Sequence, residues 1–134
     1  MTRTFGHMVV EATAAVPSIT ATEAYRRQHE DPHLLIVDVR DSTDARGGGM
    51  IPGAINVPYG NLIFAADNEV PEAWRDPRLQ DRARPIITHC VLGPVGAIAA
   101  KTLQDMGFTN VHYMEGGIEV WKAADLPIDQ VSGV

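Results

Sequence analysis

The stretch PIITHCVLGPVGAIAAKTLQDMG, residues 85–107, changes pattern twice within one short span. Pro85 to Cys90 is a short apolar run of the kind found in parallel strands covered on both faces. Val91 to Gly96 is a glycine-bounded loop. Beyond it Ala99, Ala100, Leu103 and Met106 fall on one helical face, Lys101, Gln104 and Asp105 fall on the other, and Gly107 stops the helix. A strand, a short loop and a helix in that order form half of a parallel α/β unit. Cys90, the single cysteine of the chain, stands where the strand ends.

The same pattern extends in both directions. Upstream, HLLIVDVR (33–40) is a second apolar run, ending in Asp38-Val39-Arg40, and Thr20-Ala-Thr-Glu23 fits a capping box that opens a helix through about His29. Residues 41–58 hold three consecutive glycines and Pro52-Gly53, which predicts a long loop leading to a short strand at AINV. Residues 59–84 predict one or two short helices joined by turns. Downstream, NVHYM (110–114) reads as a strand and GGIEVWKAADLP (116–127) as a last helix, stopped before Pro127. Strands alternating with helices imply a mostly parallel α/β sheet, in which sites form beyond the carboxyl ends of the strands. Cys90 falls there.

Size and charge narrow the function. The chain has 134 residues, 45% of them hydrophobic and 21% charged, which suits one domain of about 17–128 with an N-terminal extension (1–16) and a C-terminal tail (129–134). The formal charge of -6 argues against nucleic acid and anionic membrane surfaces as partners. His7 and Glu11 interrupt the apolar residues near the amino terminus, so neither a secretory leader nor a membrane span is read there, and a cytoplasmic location is expected. A single cysteine forms no internal disulfide and stays free for chemistry in a reducing compartment.

A loop between a strand and a helix turns backbone N–H groups toward its interior, and the first helical turn adds partial positive charge. Gly93 and Gly96 leave room for an anion near those amides, which can hold a thiolate or, once sulfur is added, a persulfide anion. From spacing alone, nucleophile and inert buried thiol both remain open for Cys90. Other residues read more plainly. His89 adjoins Cys90 but should point to the opposite face of the strand. His7, His29, His33 and His112 show no metal-ligand spacing, so no metal and no cofactor are expected. Gly47-Gly48-Gly49 lacks the Lys-Ser/Thr of a phosphate loop and reads as a flexible turn at the pocket rim. Trp74 and Trp121 are expected to anchor helices to the sheet, and Met50, Met106 and Met114 to fill the core or rim.

The ordered set LLIVDVRD, GMIPGAINVP, a strand ending in the cysteine, and AAKTLQDMGFTNVHYMEGGIEVWKAADLP resembles the rhodanese-like domains, in particular the stand-alone single-domain kind. The resemblance runs from about Pro17 to Pro127. It implies a five-stranded, mostly parallel sheet with helices on both faces and a sulfurtransferase. In that chemistry Cys90 takes sulfane sulfur from a donor such as thiosulfate, becomes a persulfide, and passes the sulfur to cyanide or a thiol. By position, Val91, Leu92, Gly93, Pro94, Val95 and Gly96 would form the substrate loop, and Asp38 with Arg40 the polar strand end that supports the site.

Active members usually read Cys-x-x-Gly-x-Arg followed by Ser or Ala, whereas here Val95 occupies the Arg position and Gly96 the next. An aliphatic side chain there removes a charge-assisted contact of ~1.5–3 kcal/mol. That corresponds to roughly tenfold to a hundredfold or more in donor affinity. Arg40 or Arg46 is a candidate substitute, and Leu92 and Val95 make the mouth more apolar, favouring a donor less charged than thiosulfate. The alternative reading is a catalytically weak rhodanese-like module that acts as a sulfur carrier or protein-binding domain. Related phosphatases and arsenate reductases end a longer loop in an Arg that grips the oxyanion, which neither Val95 nor Gly96 can do. The partners expected are thus a small sulfur donor and a thiol acceptor. Oligomeric state, a dimer among the options, is not legible.

Overall fold

The computed structural model describes residues 2–130. Five parallel strands, β1 (Ser18–Ile19), β2 (Leu35–Asp38), β3 (Ile55–Asn56), β4 (Ile86–His89) and β5 (Val111–Met114), form one sheet in the order β1-β5-β4-β2-β3. Six helices accompany it: α1 (Phe5–Ala15), α2 (Ala21–Glu30), α3 (Ser42–Gly48), α4 (Tyr59–Ala65), α5 (Pro94–Asp105) and α6 (Gly117–Ala123). Two 3-10 turns, Glu72–Trp74 and Pro77–Leu79, lie between α4 and β4. Among the described residues no helix is long and apolar enough to cross a membrane.

The apolar runs become the central strands because each feeds two cores. Successive strand residues point to opposite faces. Leu35, Val37 and Ile86 accordingly join one buried cluster with Leu62, Leu79 and Leu103, while Ile36 and Ile87 join the other with Met114, Ile118 and Trp121. Each such side chain contributes roughly 1.5–3 kcal/mol on leaving water. Strands buried on both sides cannot alternate with polar residues, which is why LIV and II appear as continuous runs.

The register then positions the site. Asp38 pairs with His89, so β2 and β4 end level, and the Val39 N–H donates to the His89 carbonyl at 3.0 Å. From β2 the chain goes outward to β3, and from β4 it goes the other way to β5. The loops after β2 and β4 therefore diverge and leave a crevice at the carboxyl edge between them, the place where doubly wound sheets bind ligands. Cys90 stands in it.

Several expectations change. The predicted loop over 41–58 contains α3, whose last turn includes Gly47 and Gly48, and Gly49 leaves it with φ 82°. The glycine triplet thus closes a helix. Within the expected N-terminal extension, residues 5–15 form α1, capped reciprocally by Thr4 and His7 and packed on α5, where Gln104 donates to the Ala15 carbonyl at 3.0 Å. Thr20 does accept from the Glu23 N–H (3.2 Å), but the Glu23 carboxylate turns to Arg26 and Arg27 instead of closing the box. Trp121 is fully buried and donates to the Pro127 carbonyl, as an anchor should, whereas Trp74 is 58% exposed and leans edge-on against Phe64.

Candidate active site

Three hydrogen bonds hold the cysteine loop, one from the end of β4 and two from the start of α6. The Thr88 hydroxyl donates to the Gly96 carbonyl at 2.6 Å, tying the first turn of α5 to the strand below it. Gly96 lies so close that a Cβ there would stand 3.0 Å from His89 Cα and 3.1 Å from Cys90 N. On the far side, the Ile118 N–H donates to the Cys90 carbonyl (2.9 Å) and the Glu119 N–H to the Val91 carbonyl (3.2 Å). Gly117, with φ 61°, permits this: a Cβ would sit 2.5 Å from the Val91 carbonyl oxygen and 2.6 Å from that of Cys90. The start of α6 thereby clamps the loop, a role sequence reading gave only to a helix opening. The tandem Gly116-Gly117 was its visible signal.

So held, Cys90 is buried to 6% exposure and its Sγ accepts a hydrogen bond from the Gly93 N–H at 3.1 Å. Gly93 is the N-cap of α5 with φ 120°, and Pro94 follows at the first helical position, where its missing N–H costs nothing. Ala97 donates to the Gly93 carbonyl, so Val95 and Gly96 are the helix-end residues whose N–H groups an α-helix leaves without an intrahelical acceptor. The twelve-residue α5 directs its positive end at this corner. The arrangement suits negative charge on sulfur.

Above the thiol opens a cleft of about 370 Å³. Val91, Leu92, Pro94 and Val95 of the loop line it together with Val39 and Tyr59, whereas Gly93 and Gly96 are buried and do not line it. Phe5, from α1, completes the lining, and nothing in the sequence marked it for that place. Asp41 and Asp44 are also at the cleft, both exposed.

The two candidate arginines are placed differently, Arg40 at the cleft and Arg46 away from it. Arg40 borders the cleft, but its Nη2 donates to Asp38 Oδ2 and to the Gly49 carbonyl, each at 2.7 Å, and its Nε spans both Asp38 oxygens at 3.0 and 3.1 Å. Both side chains are buried, and the Asp38 carboxylate also accepts the Arg40 backbone N–H at 3.0 Å. This pair binds α3 to the strand end. Arg46 is exposed on α3 and does not line the cleft.

His89 belongs to the face that carries Asp38, with its Nε2 3.9 Å from Asp38 Oδ2, while Cys90 packs in the opposite core with Val37 and Val39. Its Nδ1 lies 3.2 Å from the Cys90 carbonyl, and its Nε2 has no hydrogen-bond partner among the described residues. Burial holds the imidazole below the usual histidine range, so it is neutral near pH 7. Among the described residues no three His, Cys, Asp or Glu side chains gather as a metal site.

The chain is similar to several known proteins. The chain is 27% identical over 114 residues to the human thiosulfate:glutathione sulfurtransferase, covering 81% of this chain and 95% of that one. It is 28% identical over 127 residues to 3-mercaptopyruvate sulfurtransferase of Escherichia coli, covering 84% of this chain and 45% of that one. The chain spans less than half the length of several curated relatives it matches. A protein of unknown function from Rhodopseudomonas palustris, described as a possible tyrosine phosphatase, superposes with TM-score 0.88 at 32% identity, with 96% of each chain covered. The family model for the rhodanese-like domain matches residues 20–124, which takes in every strand but β1 and the whole Cys90 loop, and the chain belongs to that family.

Proposed function

We propose that the protein is a sulfurtransferase that carries sulfane sulfur on Cys90. The Cys90 thiolate attacks the outer sulfur of the donor, the donor's S–S bond breaks, and the remainder departs with the bonding pair as a thiolate, or as sulfite when thiosulfate is the donor. An acceptor thiolate or cyanide then attacks the outer sulfur of the persulfide and returns Cys90 as thiolate. No net oxidation occurs over the cycle. The observation that carries this reading is the Gly93 N–H donating to Sγ at 3.1 Å, at the positive end of α5 and at the floor of an open cleft. The relatives named as sulfurtransferases support it.

The test is cyanide-dependent formation of thiocyanate from several donors by the wild type and by Cys90→Ser. Turnover that vanishes with the sulfur nucleophile is expected, and turnover that survives its loss refutes the assignment. Phosphatase chemistry is the competing reading, because the Rhodopseudomonas neighbour is described as a possible tyrosine phosphatase. A phosphoryl dianion needs a charge-assisted grip, and here the loop position holds Val95 while Arg40 is occupied by Asp38. Hydrolysis of an aryl phosphate that depends on Cys90 would replace the sulfurtransferase reading.

A further inference from the structure

The cleft over Cys90 is polarised. At its floor lies Cys90, whose Sγ accepts from the Gly93 N–H at the positive end of α5. Its rim carries Asp41 and Asp44, whose carboxylates make no hydrogen bond or ion pair among the described residues, although Asp41 is the N-cap of α3. The single cation of the lining, Arg40, is neutralised by Asp38. Between floor and rim the wall is apolar, and three of its members face solvent: Leu92 is 67%, Phe5 57% and Val91 39% exposed. A surface that keeps three apolar side chains exposed beside two free carboxylates fits a body that is apolar and not anionic.

We infer that the donor is an organic persulfide whose thiol-bearing body is apolar or cationic, and that Phe5, Asp41 and Asp44 set this preference against the dianion thiosulfate. The inference names the substrate class of the proposed sulfurtransferase and rests on that reading. In the loading step the Cys90 thiolate attacks the terminal sulfur of R–S–SH. The bond between the two donor sulfurs breaks, R–S⁻ departs and takes up a proton from solvent, and Cys90 retains the S–SH group. The body R stays between Phe5 and Leu92, and an ammonium on R meets the rim carboxylates. Thiosulfate offers no apolar body, and its two negative charges must pass both carboxylates before reaching the amides.

Pocket polarity can be measured without sulfur transfer. Methanethiosulfonates convert Cys90 to a mixed disulfide and release methanesulfinate, and their aminoethyl and sulfonatoethyl forms differ in charge. The ratio of their rates on Cys90, divided by the same ratio on a small neutral thiol, should exceed tenfold at low salt. It should collapse in Asp41→Asn/Asp44→Asn and persist in Glu69→Gln/Glu72→Gln, which removes equal charge from exposed positions outside the cleft. Phe5→Ser should slow a benzyl reagent severalfold relative to the methyl one. A ratio equal to that of the free thiol, equal loss in both double variants, or a benzyl rate indifferent to Phe5 would overturn the inference. If the polarity is found but no donor leaves sulfur on Cys90, the sulfurtransferase reading fails while the pocket assignment stands.

Discussion

Replacing Arg40 by leucine should destabilise the fold rather than merely weaken donor binding. The Asp38 carboxylate is fully buried and faces three guanidinium contacts between 2.7 and 3.1 Å. Arg40→Leu removes all of them and leaves the carboxylate only the backbone N–H of position 40, with the Gly49 carbonyl short of its donor as well. Removing one partner of a buried pair typically costs ~3–5 kcal/mol. Against a total stability of about 5–15 kcal/mol, that is a large fraction. With an unfolding entropy near 2.1 cal/mol/K per residue over 134 residues, the midpoint should fall by roughly 10–18 °C. Adding Asp38→Leu removes the stranded charge, so the double variant should recover most of the loss. Thermal and urea unfolding followed by circular dichroism read all three proteins. An Arg40→Leu variant within ~1 kcal/mol of wild type, or a double variant as unstable as the single, would refute the structural role and return Arg40 to the substrate.

Other consequences follow from the same geometry. Val95→Arg restores a permanent cation to the loop and should raise kcat/KM for thiosulfate roughly tenfold to a hundredfold; steady-state kinetics giving no change would mean that the missing arginine does not limit that donor. Gly96→Ala places a methyl group 3.0–3.1 Å from the His89 and Cys90 backbone, so α5 must move off the strand end. It should cost ~1–3 kcal/mol and lower Cys90 reactivity toward iodoacetamide, a fall that the equally small change Gly47→Ala, in open space, should not reproduce. Burial lowers the pKa values of His89 and His112 in the folded state, so below the ordinary histidine pKa of ~6.5 the unfolded chain binds more protons. Stability should be full above that value and decline as pH falls from 7 to 5. Urea titrations should find a shallower decline in His89→Gln, and an identical pH profile would contradict the buried neutral histidine.

How far the sequence led depended on how local each cause is. Strands β2 and β4 were legible because a strand buried on both faces must be continuously apolar, and α5 because its two faces differ in polarity over twelve residues. Cys90 was legible as a strand-end residue for the same reason, while the Gly93 N–H on its Sγ and the cleft above it, which support the proposed nucleophile, were not. Helix α3 was hidden because Gly47 and Gly48 are poor helix formers. Its stability is tertiary: buried Ala45, and the Arg40 guanidinium on the Gly49 carbonyl. Two-residue β1 owes its existence to pairing with β5, which no local pattern encodes. Phe5 reaches the cleft only because α1 folds back onto α5, and the Arg40 guanidinium is held by Asp38 and the Gly49 carbonyl, contacts that no local pattern encodes. Helix propensity and apolar periodicity are properties of a window, whereas the lining of a cleft is a property of the whole chain.

The central claim is that Cys90 holds transferable sulfur, and intact-protein mass tests it most directly. Reduced wild type and Cys90→Ala are incubated with an organic persulfide, with polysulfide and with thiosulfate, then treated with cyanide. The wild type alone should gain one sulfur atom, most completely from the organic persulfide, and cyanide should remove it as thiocyanate. Wild type that gains no sulfur from any of these donors, or a Cys90→Ala variant that gains as much, would contradict it.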